Sequence, residues 1–353
     1  SVYKMFISRY LSKFGKSEIF YNQKFHVSCL SVKDPPRLGD LIATICGALS
    51  PVGEVLALQL KLCSFFKEVR LYDVKDTAGM AVDLRHITTS SRITTFTGPN
   101  QLQYAVKNSH IVAFVGGEAP KMGIAQDSVF EQNAALVKSL AKECARHAPK
   151  SIIVVALPPI NSLVPMVAEI YKEKSTFDPN KVLGMTTLES IKMKCLVAEK
   201  QRLSPALINV PIIGGSSPTT MVPLLSKAQP NNCFYKTDAE ELCKELRESD
   251  VILSIVKEGL PSAQAKGYAT ALFIIDIARG LISLPHNPHC AFIRSNALLP
   301  LKYIASPLMF GPSGVCRNFG IPRMSPTEIK MIERALPFLE KDIKMGEDYA
   351  KNE

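Results

Sequence analysis

Short apolar runs and longer amphipathic stretches alternate along the chain. Leu41–Cys46 (LIATIC) is a compact apolar run suited to a buried strand, and Gly47-Ala-Leu-Ser-Pro-Val-Gly53 follows it at once. Val55, Leu56, Leu58, Leu60 and Leu62 then give an apolar helix, and Val69–Asp73 (VRLYD) gives a second strand ending in an acid. Further strands are predicted over 111–115 (IVAFV) and 151–156 (SIIVVA), and in a short run from Val182 that ends at Gly184. Thr186 and Thr187 are placed to cap a helix carrying Leu188, Ile191, Leu196 and Val197, and Ile208 to Ile213 leads as a strand into Gly214-Gly215. A helical pattern spans Lys257 to Phe273, starting at Ser262-Ala263, and a strand spans Tyr303–Gly311. Ser325-Pro-Thr-Glu328 has capping-box spacing and opens a helix with Ile329, Ile332, Leu336, Leu339 and Ile343 on one face.

Strand, tight turn, helix, strand and acid make up the dinucleotide-binding unit. Its first glycine makes the turn, the middle one lets a pyrophosphate approach, and the last lets helix and strand pack closely. Gly47, Gly53 and Asp73 fit the outer roles. Ser50 stands at the middle position, and Pro51 after it lacks an N–H donor. Nucleotide binding and a purely structural turn are both open on this pattern. The predicted fold is α/β, with an N-terminal doubly wound parallel Rossmann sheet over 39–185. A C-terminal α+β domain covers 186–353.

Composition narrows the class. The chain has 353 residues, 46% hydrophobic and 21% charged, as in ordinary globular proteins. No apolar run approaches the roughly 20 residues of a membrane span. Nine cysteines lie scattered with no metal-ligand spacing, so they read as reduced thiols and no metal is expected. The net charge is +10. Residues 1–38 hold seven Lys or Arg against Glu18 and Asp34, with abundant Ser, Phe and Tyr, the composition of a mitochondrial transit peptide. No basic stripe with interleaved aromatics is present, so nucleic-acid binding is not expected.

Residues 181–224, with TTLESIK on the helix and GGS on the loop, resemble the catalytic segment of the mitochondrial-type malate dehydrogenases, whose versions read TTLD-x-x-R and GGH. The likeness extends through YDVKDTAGMAVDLRHI at 72–87 and the C-terminal helix, covering about 40–350. It implies NAD as cofactor, a mitochondrial matrix location, and a second domain of catalytic type that is also the substrate and dimerisation domain. It also implies a dimer, either of two like chains or of this chain with an active paralogue. Gly47, Ala48, Gly53, Asp73, Asn133, Val155 and Ala156 fall at the family's cofactor positions. Ser216 falls at the proton-relay histidine and Glu189 at its aspartate partner. Pro120 and Gln126 replace two substrate arginines, Lys192 replaces the arginine for the α-carboxylate, and Leu157 replaces an Asn that touches substrate and nicotinamide. The Asn161 position aligns with the family's second Asn, after a one-residue insertion.

Oxidation of malate needs a base with a pKa near working pH, and a serine hydroxyl is far too weak. Lysine gives a carboxylate a point charge where arginine gives a two-pronged fork. Three readings follow. The first is a non-catalytic binding or dimer-partner subunit, with NAD binding left open. The second is an NAD-dependent oxidoreductase with another 2-hydroxy acid substrate, and the third is a malate dehydrogenase of reduced efficiency.

Overall fold

The computed structural model describes residues 39–118, 126–230, 236–257 and 262–351. The expected leader at 1–38 and the Pro120 position therefore lie outside the described residues. The N-terminal half runs β1 (Leu41–Cys46), α1 (Pro51–Leu62), β2 (Phe66–Asp73), α2 (Ala78–Arg85), β3 (Arg92–Thr97) and α3 (Leu102–Val106). It continues through β4 (Ile111–Phe114), α4 (Gln126–His147), β5 (Ile152–Val155), α5 (Ile160–Glu173) and β6 (Val182–Met185). All neighbouring pairs among these six strands are parallel, in the order β3-β2-β1-β4-β5-β6. Every residue of β4, β5 and β6 is buried, which is why their sequences are unbroken apolar runs and not alternating ones.

The second half begins with α6 (Thr187–Gln201), β7 (Ile212–Gly214), β8 (Met221–Pro223), α7 (Lys236–Val256) and α8 (Ala263–Leu281). It ends with β9 (His289–Arg294), β10 (Tyr303–Gly311), β11 (Gly314–Asn318) and α9 (Pro326–Lys351). These strands pair antiparallel, and β9 joins the sheet by pairing with β6, Gly184 to Phe292 and Met185 to Ala291. One sheet thus runs through both halves. Its two faces carry separate cores: Val137, Leu163, Val167 and Leu336 lie on one, Leu56, Leu60, Phe273 and Ile277 on the other. A third cluster, including Met193, Val197 and Leu242, packs α6 and α7 together.

Three expectations are corrected in detail. The strand leading to Gly214 is only Ile212–Gly214, because Pro211 supplies no ladder donor and the preceding stretch makes a lone bridge, Asn209 to Gln229. Thr186 occupies the N-cap of α6 without capping it; its hydroxyl donates to the Cys290 carbonyl at 2.8 Å. The helical pattern placed over Lys257 to Phe273 is carried by α8, which starts at Ala263 and runs on to Leu281. The capping box forms as expected: the Ser325 N–H donates to Glu328 Oε2 at 2.7 Å.

Helices α5 and α9 cross at the least separation their backbones allow. A Cβ on Gly346 would lie 1.9 Å from the Ser162 carbonyl oxygen, and backbone cannot yield as a side chain tip can. Gly346→Ala is expected to destabilise the protein by about 1–3 kcal/mol, read as a lowered midpoint in urea unfolding; an unchanged midpoint would contradict this packing.

Candidate functional site

The site lies where the parallel strands end and α1, α5, α6, α7 and α8 converge. A cavity of about 200 Å³ there is lined by Ser50, Gly117, Pro159, Asn161, Glu189, Ser216, Asp250 and Lys266, among others. Its position at the carboxyl ends of β1 and β4 is the crevice of open α/β sheets.

At the nucleotide end, Gly47 sits at φ +95°, and a Cβ there would meet the Val115 carbonyl oxygen at 2.2 Å. A Cβ on Gly53 would meet the Gly47 carbonyl oxygen at 2.4 Å. Both glycines are therefore demanded by packing alone. Ala48 is fully buried beneath this turn. Asp73 sits at the end of β2, where Oδ2 accepts from the Leu49 N–H at 3.0 Å and Oδ1 from the Val74 N–H at 2.8 Å. Ser50 caps α1: its hydroxyl accepts from the Gly53 N–H at 3.0 Å and donates to the Gly47 carbonyl at 2.7 Å. A helix N-terminus binds phosphate through free N–H groups. Here Pro51 has none and that of Gly53 is already engaged, so the pyrophosphate cradle is weakened. Ser50→Gly frees the Gly53 donor for a charge-assisted bond, and NADH should bind roughly tenfold tighter by calorimetric titration. No change would show that the cap does not compete with phosphate.

The residues expected at the nicotinamide end are engaged within the chain. Asn133 is buried and its amide fully engaged: Nδ2 donates to the carbonyls of Glu118 (2.9 Å) and Pro158 (2.7 Å), while Oδ1 accepts from the Glu118 N–H (2.8 Å). Leu157 is completely buried in the core beyond β5, after Val155 and Ala156, which are buried too. Gly47, Gly53 and Asp73 fit the adenosine half of NAD; at the other end the Asn133 amide is already engaged and Leu157 lies in the core.

On the loop after β7, Ser216 is fixed by Asn161 of α5. The Asn161 Oδ1 accepts from the Ser216 N–H at 3.0 Å, and its Nδ2 donates to Thr220 Oγ1 (3.1 Å) and to Asp342 Oδ2 (3.0 Å) on α9. The Ser216 hydroxyl reaches Asn161 Oδ1 only at 3.5 Å. No histidine lines the cavity among the described residues. His289, on β9, pairs instead with Asp276.

Glu189 lines the cavity, and its Oε2 is buried without a hydrogen-bond partner among the described residues. Burial pushes its carboxyl up to about 7; Asp250 adds to this, and Lys192 and Lys266 oppose it. Lys192 is ion-paired with Asp250 of α7. The cation expected to hold a substrate carboxylate is thus occupied by a carboxylate of the same chain. Lys266, in the first turn of α8, is desolvated and its amine pushed below the usual lysine range, though Glu189 and Asp250 pull it the other way. Of Gln126 only the backbone, at the start of α4, is described. Asp250, Lys266 and the Asn161–Asp342 link were not foreseen from sequence. Asp250 lies 58 residues from Lys192 and Asp342 lies 181 from Asn161, while Lys266 is remote in sequence from Glu189, and no local pattern announces them.

The order of strands, the turn after β1 and the acid ending β2 define a dinucleotide-binding dehydrogenase architecture. Residues 42–184 match the lactate/malate dehydrogenase NAD-binding domain and 186–350 the α/β C-terminal domain of the same family. The chain belongs to the lactate/malate dehydrogenase family. It is 34% identical over 309 residues to the mitochondrial malate dehydrogenase of Bos taurus, covering 87% of this chain and 91% of that one. The malate dehydrogenase of Picrophilus torridus, solved in its apo form, superposes with a TM-score of 0.75 at 20% identity, covering 89% of this chain and 99% of that one. A lactate dehydrogenase of Cryptosporidium parvum, solved with lactic acid and NAD, gives 0.74 at 15%, covering 89% and 98%. Among the described residues no helix is long and apolar enough to cross a membrane, and no cluster of metal-ligating side chains occurs.

Proposed function

We propose that this chain is a family member without malate dehydrogenase turnover, acting as a binding or dimer-partner subunit in mitochondria. The observation that carries this is Ser216 held by Asn161 at the proton-relay position, with no imidazole lining the cavity. The Lys192–Asp250 pair supports it, because a dicarboxylate substrate would have to displace Asp250. NAD, when bound to a dehydrogenase, supplies the hydride acceptor; here Gly47, Gly53 and Asp73 would hold its adenosine half. Residues of the nicotinamide half give no comparable support. The mitochondrial assignment draws on relatives such as the Bos taurus enzyme, and the dimer on the family's habit.

The test is steady-state oxaloacetate reduction, followed by NADH absorbance with the purified chain. No turnover above the protein-free rate is expected, and a rate typical of mitochondrial malate dehydrogenase would sink the proposal. Extending the assay to other 2-oxo acids addresses an oxidoreductase of altered substrate; turnover of any of them would assign that activity instead.

A further inference from the structure

The cavity combines features that hydride transfer does not explain. Lys266 is its only lining Lys or Arg among the described residues, and it shares the lining with two carboxyl groups, Glu189 and Asp250. Ser216, Ser254 and Ser262 add hydroxyl groups to the same lining, while those of Ser50 and Ser217 are engaged by the α1 cap and by Thr220. Neither a hydrogen bond nor an ion pair holds the Lys266 amine among the described residues, whereas Asp250 is taken by Lys192. Glu189 Oε2 is likewise unpartnered and buried.

The backbone under Lys266 is held firmly. Its N–H donates to the Ser262 carbonyl at 3.1 Å, and Thr270 Oγ1 donates to its carbonyl at 2.7 Å. The next residue, Gly267, packs so closely on α1 that a Cβ would lie 2.6 Å from Val55 Cβ. A desolvated amine on a rigid helix, in a cleft it shares with a carboxyl group, is the equipment of imine-forming lysines.

We propose that the cavity binds a small uncharged hydroxy-aldehyde or hydroxy-ketone and captures it as an imine on Lys266, with Glu189 moving the protons. The neutral Nζ attacks the carbonyl carbon, and the C=O π pair moves to oxygen. Glu189 carries one N–H proton to that oxygen, giving a carbinolamine. It then protonates the hydroxyl, which leaves as water while the nitrogen lone pair forms C=N, and the remaining N–H proton returns to Glu189. The balance is one amine and one carbonyl compound giving one imine and one water, with no oxidant or reductant. Burial of the amine raises the fraction that is unprotonated, and the raised Glu189 carboxyl keeps a proton to give. Charge selects the ligand: in the reacting state the amine is neutral, Glu189 carries its proton and Asp250 is paired with Lys192, so among the described residues no free cation lines the cavity to hold a ligand carboxylate. The inference does not rest on the absence of malate turnover, since it uses neither Ser216 as a base nor a nicotinamide.

The experiment treats the full chain with glyceraldehyde and sodium cyanoborohydride, which reduces an imine to a stable secondary amine. Adducts are mapped by peptide mass spectrometry, with glyoxylate as the charged comparison. The peptide carrying Lys266 should be labelled about tenfold faster than any exposed lysine, and faster by glyceraldehyde than by glyoxylate. Lys266→Arg should abolish that adduct with the melting curve kept, and Glu189→Gln should slow it roughly 10²-fold. Labelling spread over lysines according to exposure overturns the proposal, and this is read on the unmodified protein whether or not a variant folds. Preference for glyoxylate overturns the uncharged ligand class.

Discussion

Ser216→His alone is expected to raise oxaloacetate reduction by less than about tenfold, although a general base is worth 10²–10⁴ in rate. The combination Ser216→His, Gln126→Arg, Lys192→Arg and Asp250→Asn should raise it by about 10³ or more. Residues that act on one transition state are strongly non-additive, so a base without a held substrate gains little. Glu189 is ready to orient an imidazole, having a buried oxygen that nothing else engages. The substrate side is the limiting one. Lys192 is tied to Asp250, and each charge-assisted contact recovered is worth roughly 1.5–3 kcal/mol. Leu157, buried in the core, should hold the recovery well short of a mitochondrial dehydrogenase. NADH consumption by the single and the combined variants decides this. A gain of about 10² or more from the single variant would mean that the substrate end is intact.

Glu189→Gln is expected to stabilise the protein by up to about 3 kcal/mol at pH 8 and hardly at all at pH 4.5. The carboxyl is pushed up to about 7 in the folded state by burial, against an ordinary value of 4.5. Its folded pKa is the higher one, so the folded protein keeps a proton that the unfolded chain releases. The contribution is therefore complete below the unfolded value, falls as pH rises from there to about 7, and stays low above it. Asp250 makes the charge less welcome, while Lys192 and Lys266 soften the effect. Glutamine has no charge to bury, so the variant should lack this loss. Urea unfolding of both proteins at the two pH values measures it. An equal difference at both would assign the effect to packing.

Much of the scaffold was legible because its signals are local. β1 and β10 were expected at the bounds the structure gives, since each is a mainly apolar run ended at a glycine. The box at Ser325 and Glu328 needed only its three-residue spacing, yet Glu328 also accepts from the Ser226 N–H at 2.9 Å, 102 residues away, which spacing does not reveal. Thr186 had the right chemistry for a cap, but a strand carbonyl competed for its hydroxyl. The candidate site followed the same division. Ser216 and Glu189 could be placed by motif, whereas their surroundings are tertiary: Asn161 reaches Asp342 across 181 residues, and Lys192 finds Asp250 across 58. Ser50 also gained a meaning that pattern alone lacked, since its hydroxyl replaces a missing glycine's openness with a helix cap.

The ladder from Gly184–Met185 to Phe292–Ala291 makes both halves share one backbone network. Among the described residues, the substituted positions Leu157, Glu189, Lys192 and Ser216 lie outside that ladder. Side chains at these positions can therefore change without breaking the strand pairing that joins the two halves, so the body endures whatever its cleft is selected to do.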